Sequence, residues 1–277
     1  MTKDKSKSLT IHHNNSLARV ERSIALTNKL LSTIDETVTD IDGNEYKTVK
    51  IGNQVWMAEN LKVTNYNNGD PIPTGFNDEE WANLAQGAYC YYNDDHQNIN
   101  IYGNLYNGYA VDDPRGIAPK GLHVASDNEW MELEMFLGMN YNETREIEMR
   151  GGQNGEGLKL ITPINWDFDS YPINDAPPFP TNNTGFSIQP SGHRQILPDS
   201  LTNLFFNTNY DRLGLETLFW CNDKNNKGYK PRYSNDKNNK GYKPTRLFAN
   251  HSGYYISAIT RRNIHAGAGL SIRCIKD

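Results

Sequence analysis

Short apolar runs separated by turn-forming residues extend along most of this chain and predict β-strands joined by loops. Between residues 38 and 277 these runs are bounded by glycine, asparagine and aspartate, which favour turns. Asp42-Gly43 separates two of the runs, at 38–41 and 46–51, and predicts a hairpin. Further strands are predicted at 54–58, 89–92, 105–111, 185–188, 218–221, 254–259 and 270–275.

One segment of this region has the periodicity of a helix. Ser126 is a good N-cap, Glu129 adds a negative charge to the first turn, and Gly138 is a stop signal. One or two helices among many short strands and long loops indicate an α+β fold rather than an alternating βαβ fold. The apolar face of this helix is predicted to consist of Trp130, Leu133, Phe136 and Leu137.

A second helical pattern precedes the strands. After a flexible stretch at 1–15, residues 16–32 carry apolar side chains along one face, and a polar linker continues to residue 37. A helix outside the main domain has to bury its apolar stripe, so we expect it to pack on its own chain, to dock to a partner or to self-associate. Membrane-surface binding is disfavoured because the face is short and not strongly basic. The stripe consists of Leu17, Val20, Ile24 and Leu31.

Composition and charge exclude some classes of function for this chain. The 277 residues include 35 asparagines, 22 glycines and 16 tyrosines, a composition rich in turns and loops. With 28 basic and 33 acidic residues the net charge is −5, which argues against a protein that binds duplex nucleic acid. No run of 18 apolar residues is present, so no membrane span is expected. The first 32 positions are interrupted by charges and only three cysteines are present, which predicts a cytoplasmic protein without a secretory signal.

Several blocks of the chain resemble, in the same order, those of the Fibrobacter succinogenes major paralogous domain. The resemblance extends over residues 38–277 and implies a C-type-lectin-like α+β domain, related to the formylglycine-generating-enzyme branch of that fold. It also implies paired N- and C-terminal strands, with long irregular loops on one side. The blocks include GlyAsnGlnValTrpMetAlaGluAsnLeuLysVal at 52–63, TyrAsnAsnGlyAspProIlePro at 66–73, GlyAlaTyrCysTyrTyrAsn at 87–93, TyrGlyAsnLeuTyrAsn at 102–107, ProLysGlyLeuHisValAlaSerAspAsnGluTrp at 119–130, GlyPheSerIleGlnProSerGlyHisArg at 185–194 and LeuSerIleArgCysIleLysAsp at 270–277.

The chain departs from the family pattern after Trp220. An inserted stretch occupies 222–245, in which AsnAspLysAsnAsnLysGlyTyrLysPro occurs at 222–231 and again at 235–244. Two copies are too few for a solenoid, and the polar composition predicts a solvent-exposed loop. Its lysines and tyrosines would also suit a single nucleic-acid strand or an acidic partner, but nucleic acid is disfavoured on so weak a signal.

No catalytic group is expected. The seven histidines are scattered and lack a motif for nucleophilic catalysis, and His123 and His193 are interpreted as structural. Formylglycine-generating chemistry needs a reactive cysteine pair, whereas Cys90 and Cys274 fall in strand blocks and are also interpreted as structural. An oxidase of that kind is kept as a second alternative, with Cys221 as its test residue.

No cofactor or metal is expected either. The acidic turn at 40–44 has alternating oxygen ligands, but Gly43 and the missing distal glutamate do not fit an EF-hand loop. A hairpin turn explains these residues better. The segment at 92–98 is acidic enough to hold a cation, which leaves a structural calcium ion open.

The remaining interpretation is a non-enzymatic binding protein. The resemblance implies kinship with the variable proteins of diversity-generating retroelements, in which adenine-directed mutagenesis rewrites codons near the 3′ end of the gene. Residues reached from adenine-rich codons are dense between 220 and 262, and tyrosine with serine, asparagine and glycine is typical of paratopes. A fixed-specificity glycan- or peptide-binding domain is the alternative. The expected contacts to a protein or other macromolecule are Trp220, Asn222, Tyr229, Tyr233, Asn250, His251, Tyr254, Tyr255, Arg261, Arg262, Asn263 and His265.

Overall fold

The computed structural model describes residues 37–167, 180–195, 210–222, 242–249 and 257–277. These residues form short strands, short α-helices and 3₁₀ turns, which confirms the predicted mixture of helix and sheet. Within them, no helix has both the length and the apolar character needed to cross a membrane. The helix predicted at 16–32, with its stripe of Leu17, Val20, Ile24 and Leu31, lies outside the described residues.

The described elements are short and follow one another closely. The strands are β1 Thr37–Thr39, β2 Glu45–Ile51, β3 Gln54–Met57, β4 Tyr89–Cys90, β5 Leu105–Tyr106, β6 Leu122–Val124, β7 Glu148–Gly151, β8 Ser191–Arg194, β9 Tyr210–Leu213, β10 Glu216–Trp220, β11 Tyr242–Ala249, β12 Ala258–His265 and β13 Cys274–Lys276. The helices are α1 Asp78–Ala82, α2 Ile99–Tyr102, α3 Gly108–Asp112, α4 Asp127–Leu137 and α5 Tyr141–Arg145. The 3₁₀ turns are Tyr92–Asp94, His96–Asn98 and Gly157–Lys159.

Two sheets organise the described residues, and a two-stranded ribbon of β4 and β5 accompanies them. The first sheet has the order β1-β2-β3-β13-β6, and the second has the order β7-β12-β11-β10-β8-β9. The C-terminal strand β13 pairs antiparallel with β3 and β6. The resemblance implied that the N- and C-terminal strands pair; β13 instead lies beside β3, in the same sheet as β1 but not next to it.

The hairpin predicted at Asp42-Gly43 is confirmed. β1 and β2 pair antiparallel across it, and Gly43 has a φ of +84°, which glycine adopts without strain. The Asp40 carboxylate accepts hydrogen bonds from two backbone N–H groups of the turn and from the Tyr46 hydroxyl. These bonds hold the Asp40 carboxylate within the hairpin turn.

The predicted capped helix is confirmed as α4, with one correction. Ser126 and Glu129 form a capping box, in which the Glu129 carboxylate accepts a 2.7 Å hydrogen bond from the Ser126 N–H. Phe136 was predicted on the buried face, but it is 61% exposed and its ring lies against Gly52. The prediction was wrong because the buried face includes Glu134, whose carboxylate is completely buried among arginines.

Trp130 lies at the centre of a core cluster that joins the two sheets. Its ring centroid is 5.1 Å from that of Trp56 on β3 and 5.5 Å from that of Phe219 on β10. Phe186 and Phe248 complete the cluster at 5.6 and 6.3 Å. All five rings are fully buried, so this cluster holds α4 between the sheets.

Several predicted strands are shorter than expected, and two segments show the reason. Only Leu105–Tyr106 of the segment 105–111 is a strand, because Asn107 caps a helix there by accepting a hydrogen bond from the Ala110 N–H. The segment 185–188 forms a single bridge, between Ile188 and Ile161, rather than a strand. In both places a capping or turn residue next to apolar residues overrides the strand pattern.

His123 on β6 makes stability depend on pH. Its ring nitrogens lie 2.7 Å from Asp277 Oδ1 and 2.7 Å from Glu129 Oε1. Partial burial lowers the pKa of His123, but the hydrogen bonds to Asp277 and Glu129 raise it by more, so the net pKa lies above the ordinary value. A raised folded-state pKa stabilises the fold below the unfolded-state pKa, and that stability is lost as pH rises through the folded-state pKa.

The variant His123→Gln is therefore expected to be less stable than the wild-type protein at pH 5.5 and nearly equal to it at pH 9. Because the side chain is 39% exposed, solvent screens the pair and the loss should stay below about 1 kcal/mol. Urea unfolding at both pH values measures it. A difference that grows toward high pH would contradict the assigned ion pairs.

Candidate functional site

An open cleft of about 420 Å³ crosses one end of the six-stranded sheet. Its walls come from β8, β9, β10 and β12, so side chains far apart in sequence face one another. Most of the lining is polar or charged. The lining residues are His193, Gln195, Asp211, Arg212, Glu216, Leu218, Arg262, Asn263, Ile264, His265 and Ala268.

His193 is held in the cleft wall by tight packing of β8. Gly192, with a φ of +60°, is packed so closely that a Cβ atom there would lie 2.5 Å from Tyr92 Cε2 and 2.6 Å from the Asp211 carbonyl oxygen. His193 Nδ1 then lies 2.8 Å from Glu216 Oε1. Both side chains are at least nine-tenths buried.

The opposite parts of the wall carry further charges. Arg212 Nε lies 3.3 Å from Asp211 Oδ2, and Gln195 donates a 3.0 Å hydrogen bond to the same carboxylate oxygen. On β12, Arg262 Nε is shielded from solvent and has no hydrogen-bond acceptor within the described parts of the chain. The wall therefore contains one ion pair, between Arg212 and Asp211, whereas Arg262 Nε has no acceptor among the described residues.

His265 closes the β12 side of the cleft. Its Nδ1 accepts a 3.1 Å hydrogen bond from the Gly267 N–H. Burial lowers the pKa of His265, so its imidazole is neutral near pH 7. A neutral imidazole adds hydrogen-bonding capacity without adding charge.

The residues that the sequence nominated as ligand contacts separate into three groups. Arg262, Asn263 and His265 line the cleft. Trp220 does not reach the surface: it is fully buried and donates a 2.7 Å hydrogen bond to the Tyr106 carbonyl, so its nomination is corrected. Outside the described residues lie Tyr229, Tyr233, Asn250, His251, Tyr254 and Tyr255.

Arg261 and Asn222 are also absent from the cleft lining. Arg261 Nε donates a 3.0 Å hydrogen bond to Asp127 Oδ1, on the sheet face toward α4. Successive side chains of a strand point to opposite faces, so Arg261 and Arg262 are directed apart. The backbone N–H of Asn222 binds the Ala125 carbonyl at 2.9 Å, which holds this residue beside the start of α4.

A buried ionic network fixes the strands behind the cleft. Glu134 on α4 accepts hydrogen bonds from Arg150 Nη2 at 2.7 and 2.8 Å and from Arg246 Nε at 2.6 Å. Asp127 on the same helix accepts from Arg246 at 2.6 Å and from Arg261. Burial lowers the pKa of Arg150 to about 10. The network ties β7, β11 and β12 to one helix and gives the cleft a rigid back.

Four titratable residues of the cleft were not nominated from the sequence. Asp211, Arg212 and Glu216 lie in stretches without a motif, and His193 was interpreted as structural. The signal in the sequence was the block at 185–194, in which His193 follows Gly192. The structure shows that Gly192 is tightly packed. The pairing of His193 with Glu216 comes from the β8–β10 contact, which no sequence spacing indicates.

The tandem repeat ends inside the sheet rather than in a loop. It was expected to be a solvent-exposed insertion through residue 245, but Tyr242–Ala249 is strand β11 and Lys243 is buried. Lys243 Nζ lies 2.5 Å from Asp112 Oδ1. Tyr242 pairs with His265, so the end of the repeat adjoins the strand residues that line the cleft.

The three cysteines are free thiols and all are buried. Burial raises the pKa of Cys90 and of Cys221 to about 12 and raises that of Cys274 as well. Cys90 and Cys274 belong to different core clusters. No group of three or more potential metal ligands is brought together in the part of the chain that the structure describes.

Comparisons with known proteins place the chain in a family. No curated protein and no solved structure matches it. The family model of the Fibrobacter succinogenes major domain matches residues 49–276, which include every described residue of the cleft. The chain belongs to the Fibrobacter succinogenes major domain family.

Proposed function

We propose that this protein is a non-enzymatic ligand-binding domain with a variable recognition surface around the cleft. The observation that supports it best is the cleft itself, whose volume of about 420 Å³ is typical of small-ligand sites. It is open and mostly polar, and strands of one sheet hold its walls. Arg262, Asn263 and His265, which the sequence nominates as contacts, contribute to its lining.

Three segments outside the described residues connect strands of the six-stranded sheet, and we propose that they contribute to recognition. Residues 196–209 connect β8 to β9, residues 223–241 connect β10 to β11, and residues 250–256 connect β11 to β12. The last two segments contain six of the nominated contacts. Recognition residues are commonly carried on connections between rigid elements, so changes in these segments can alter binding while the sheet stays intact. A protein or another macromolecule is the proposed ligand.

We further propose that a diversity-generating retroelement rewrites this part of the gene. The support is the density of asparagine, tyrosine, serine, aspartate, histidine and arginine codons between 220 and 262. Sequencing the flanking DNA is the test. A near-copy of the 3′ end that differs only at adenines, beside a reverse-transcriptase frame, is expected. Its absence would leave a binding domain of fixed specificity.

A binding role is favoured over a cysteine-dependent oxidase. Burial and the raised pKa values keep the described cysteines protonated at neutral pH, whereas a nucleophilic cysteine acts as the thiolate. An oxidase would lose its activity in the variant Cys221→Ala. The proposed function predicts that this variant binds ligand as the wild-type protein does.

The binding role is tested by filling the cleft. The full 277-residue chain is screened on a glycan array and a peptide array, together with Gln195→Trp, which places a large ring beside Asp211 in the cleft. We expect the bound set to be lost in Gln195→Trp and kept in Asn142→Trp, a change to the same residue at an exposed position of α5. Unchanged binding by Gln195→Trp, with an intact thermal unfolding transition, would exclude the cleft.

A further inference from the structure

We propose that residues 16–32 dock as an amphipathic helix on an exposed apolar corner of their own chain, where α4 ends and α5 begins. The apolar corner consists of Met135, Phe136 and Tyr141. It lies beside the turn from whose side the chain enters β1, and this juxtaposition carries the inference. None of the three residues lines the cleft, so the inference does not depend on the proposed function.

The apolar corner presents large side chains to solvent. Phe136 is 61% exposed, Tyr141 57% and Met135 36%. Met135 and Phe136 occupy the last turn of α4, and Tyr141 is the first residue of α5, which packs against α4. Single exposed apolar residues are normal at a protein surface, whereas a group of them marks a contact site.

The register of β1 shows from which side the chain enters the first sheet. Thr37 lies opposite Lys47, and β1 runs antiparallel to β2, so the chain enters β1 from the side of Gly52, in the turn after β2. Gly52 lies five residues beyond Lys47, and Ser32 lies five residues before Thr37. Each stretch spans about 17 Å when extended, at about 3.4 Å per residue. The linker 33–36 is therefore long enough to bring the end of the predicted helix beside Gly52.

Phe136 connects this turn to the apolar corner. A Cβ atom added to Gly52 would lie 2.9 Å from Phe136 Cδ2, so the ring packs on the backbone of the turn while most of its surface stays exposed. Leu31 is the residue of the apolar stripe nearest to the linker. It is therefore the first stripe residue that can reach Phe136, and the remaining stripe residues follow along the helix toward Met135 and Tyr141.

The occupant is the segment of the same chain rather than a second copy. An isolated helix of 17 residues is only marginally stable in water, so it gains stability by burying its stripe on apolar surface. A linker of four residues keeps the segment close to the apolar corner and gives it a high effective concentration there. A second chain has no such advantage.

The test is photo-crosslinking of the full chain with p-benzoyl-phenylalanine in place of Phe136. An equal mixture of isotopically labelled and unlabelled chains is irradiated, and crosslinked peptides are identified by mass spectrometry. We expect crosslinks to residues 16–32 that join peptides of the same isotope, and therefore of one chain. The same probe at Ile164, which is also 61% exposed, should give few or none.

Variants of the segment make the crosslink specific to its apolar stripe. Ile24→Asp places a charge on the stripe and should lower the crosslink yield at least about fivefold, because an unpaired charge is costly to bury. Arg22→Asp should leave the yield unchanged, since Arg22 lies about 200° away from Ile24 around the predicted helix.

Limited trypsin digestion tests the same contact without a probe. The segment contains Arg19, Arg22 and Lys29 as cleavage sites. Docking protects them, so Phe136→Asp should be cleaved there at least about fivefold faster than the wild-type protein. Ile164→Asp, a change to the same residue at an equally exposed position, should be cleaved at the wild-type rate.

Three results would overturn the inference. Crosslinks that join labelled to unlabelled peptides would assign the apolar corner to a second copy. Crosslinks to residues 16–32 that are missing at Phe136, or equally frequent from Ile164, would remove the segment from this surface. Cleavage of the wild-type protein as fast as that of Phe136→Asp would show that the segment is not held there.

Discussion

Replacing Glu134 with glutamine is expected to lower the free energy of unfolding by about 3–5 kcal/mol, the range for breaking a buried ion pair. The Glu134 carboxylate is fully buried and is the direct partner of Arg150 and Arg246, whose guanidinium groups are themselves fully buried. Glutamine keeps the shape but not the charge. Asp127 would then be the remaining carboxylate for Arg246 and Arg261 within the described network.

The matched control is Glu132→Gln on the same helix. Glu132 is exposed and accepts a 3.2 Å hydrogen bond from Gln54, so its loss should change stability by less than about 0.5 kcal/mol. Equilibrium urea unfolding of both variants gives the comparison. Equal, small effects would mean that water or rearranged side chains satisfy Arg150 and Arg246, and that the network does not depend on Glu134.

Truncating Trp130 to alanine is the second large change, with an expected loss of about 3–5 kcal/mol. The indole is fully buried and contacts rings from both sheets, with Trp56 at 5.1 Å and Phe219 at 5.5 Å between centroids. Removing it opens a cavity where α4 meets the sheets. Thermal and urea unfolding measure the loss.

Two further variants test whether the loss of stability comes from the buried ring of Trp130. Phe136→Ala, on the exposed side of the same helix, should cost less than about 1 kcal/mol. Trp130→Phe should cost much less than Trp130→Ala, because Trp130 Nε1 is buried without an acceptor in the described structure and phenylalanine removes that unsatisfied donor. A loss in Trp130→Phe as large as in Trp130→Ala would contradict this account of the cluster.

Local signals in the sequence were sufficient for the elements that local interactions determine. The hairpin at Asp42-Gly43 and the capping box of Ser126 and Glu129 follow from turn and capping preferences, and both are confirmed. Which residues of α4 are buried was harder to predict from the sequence. Glu134 is buried and Phe136 is exposed because arginines from other strands bind Glu134, and periodicity contains no information about those strands.

The candidate site was predictable only in part for the same reason. A composition argument nominated a continuous stretch near the end of the chain, but β12 directs Arg261 toward Asp127 while Arg262 lines the cleft. To predict which of Arg261 and Arg262 lines the cleft, one has to know how β12 is oriented in the sheet. His193 and Glu216 are brought together by β8 and β10, whose pairing is parallel and non-local.

The position of β13 has a consequence for folding during synthesis. Ile275 pairs with Trp56, so the middle of the first sheet depends on a contact between opposite ends of the chain. Ribosomes add residues in order, at about 5–20 per second, so the edges of β3 and β6 have no strand between them until β13 has been synthesised. Such non-local pairing is slow. The first sheet is therefore completed late, and until then the unpaired edges of β3 and β6 are open to pairing with other chains.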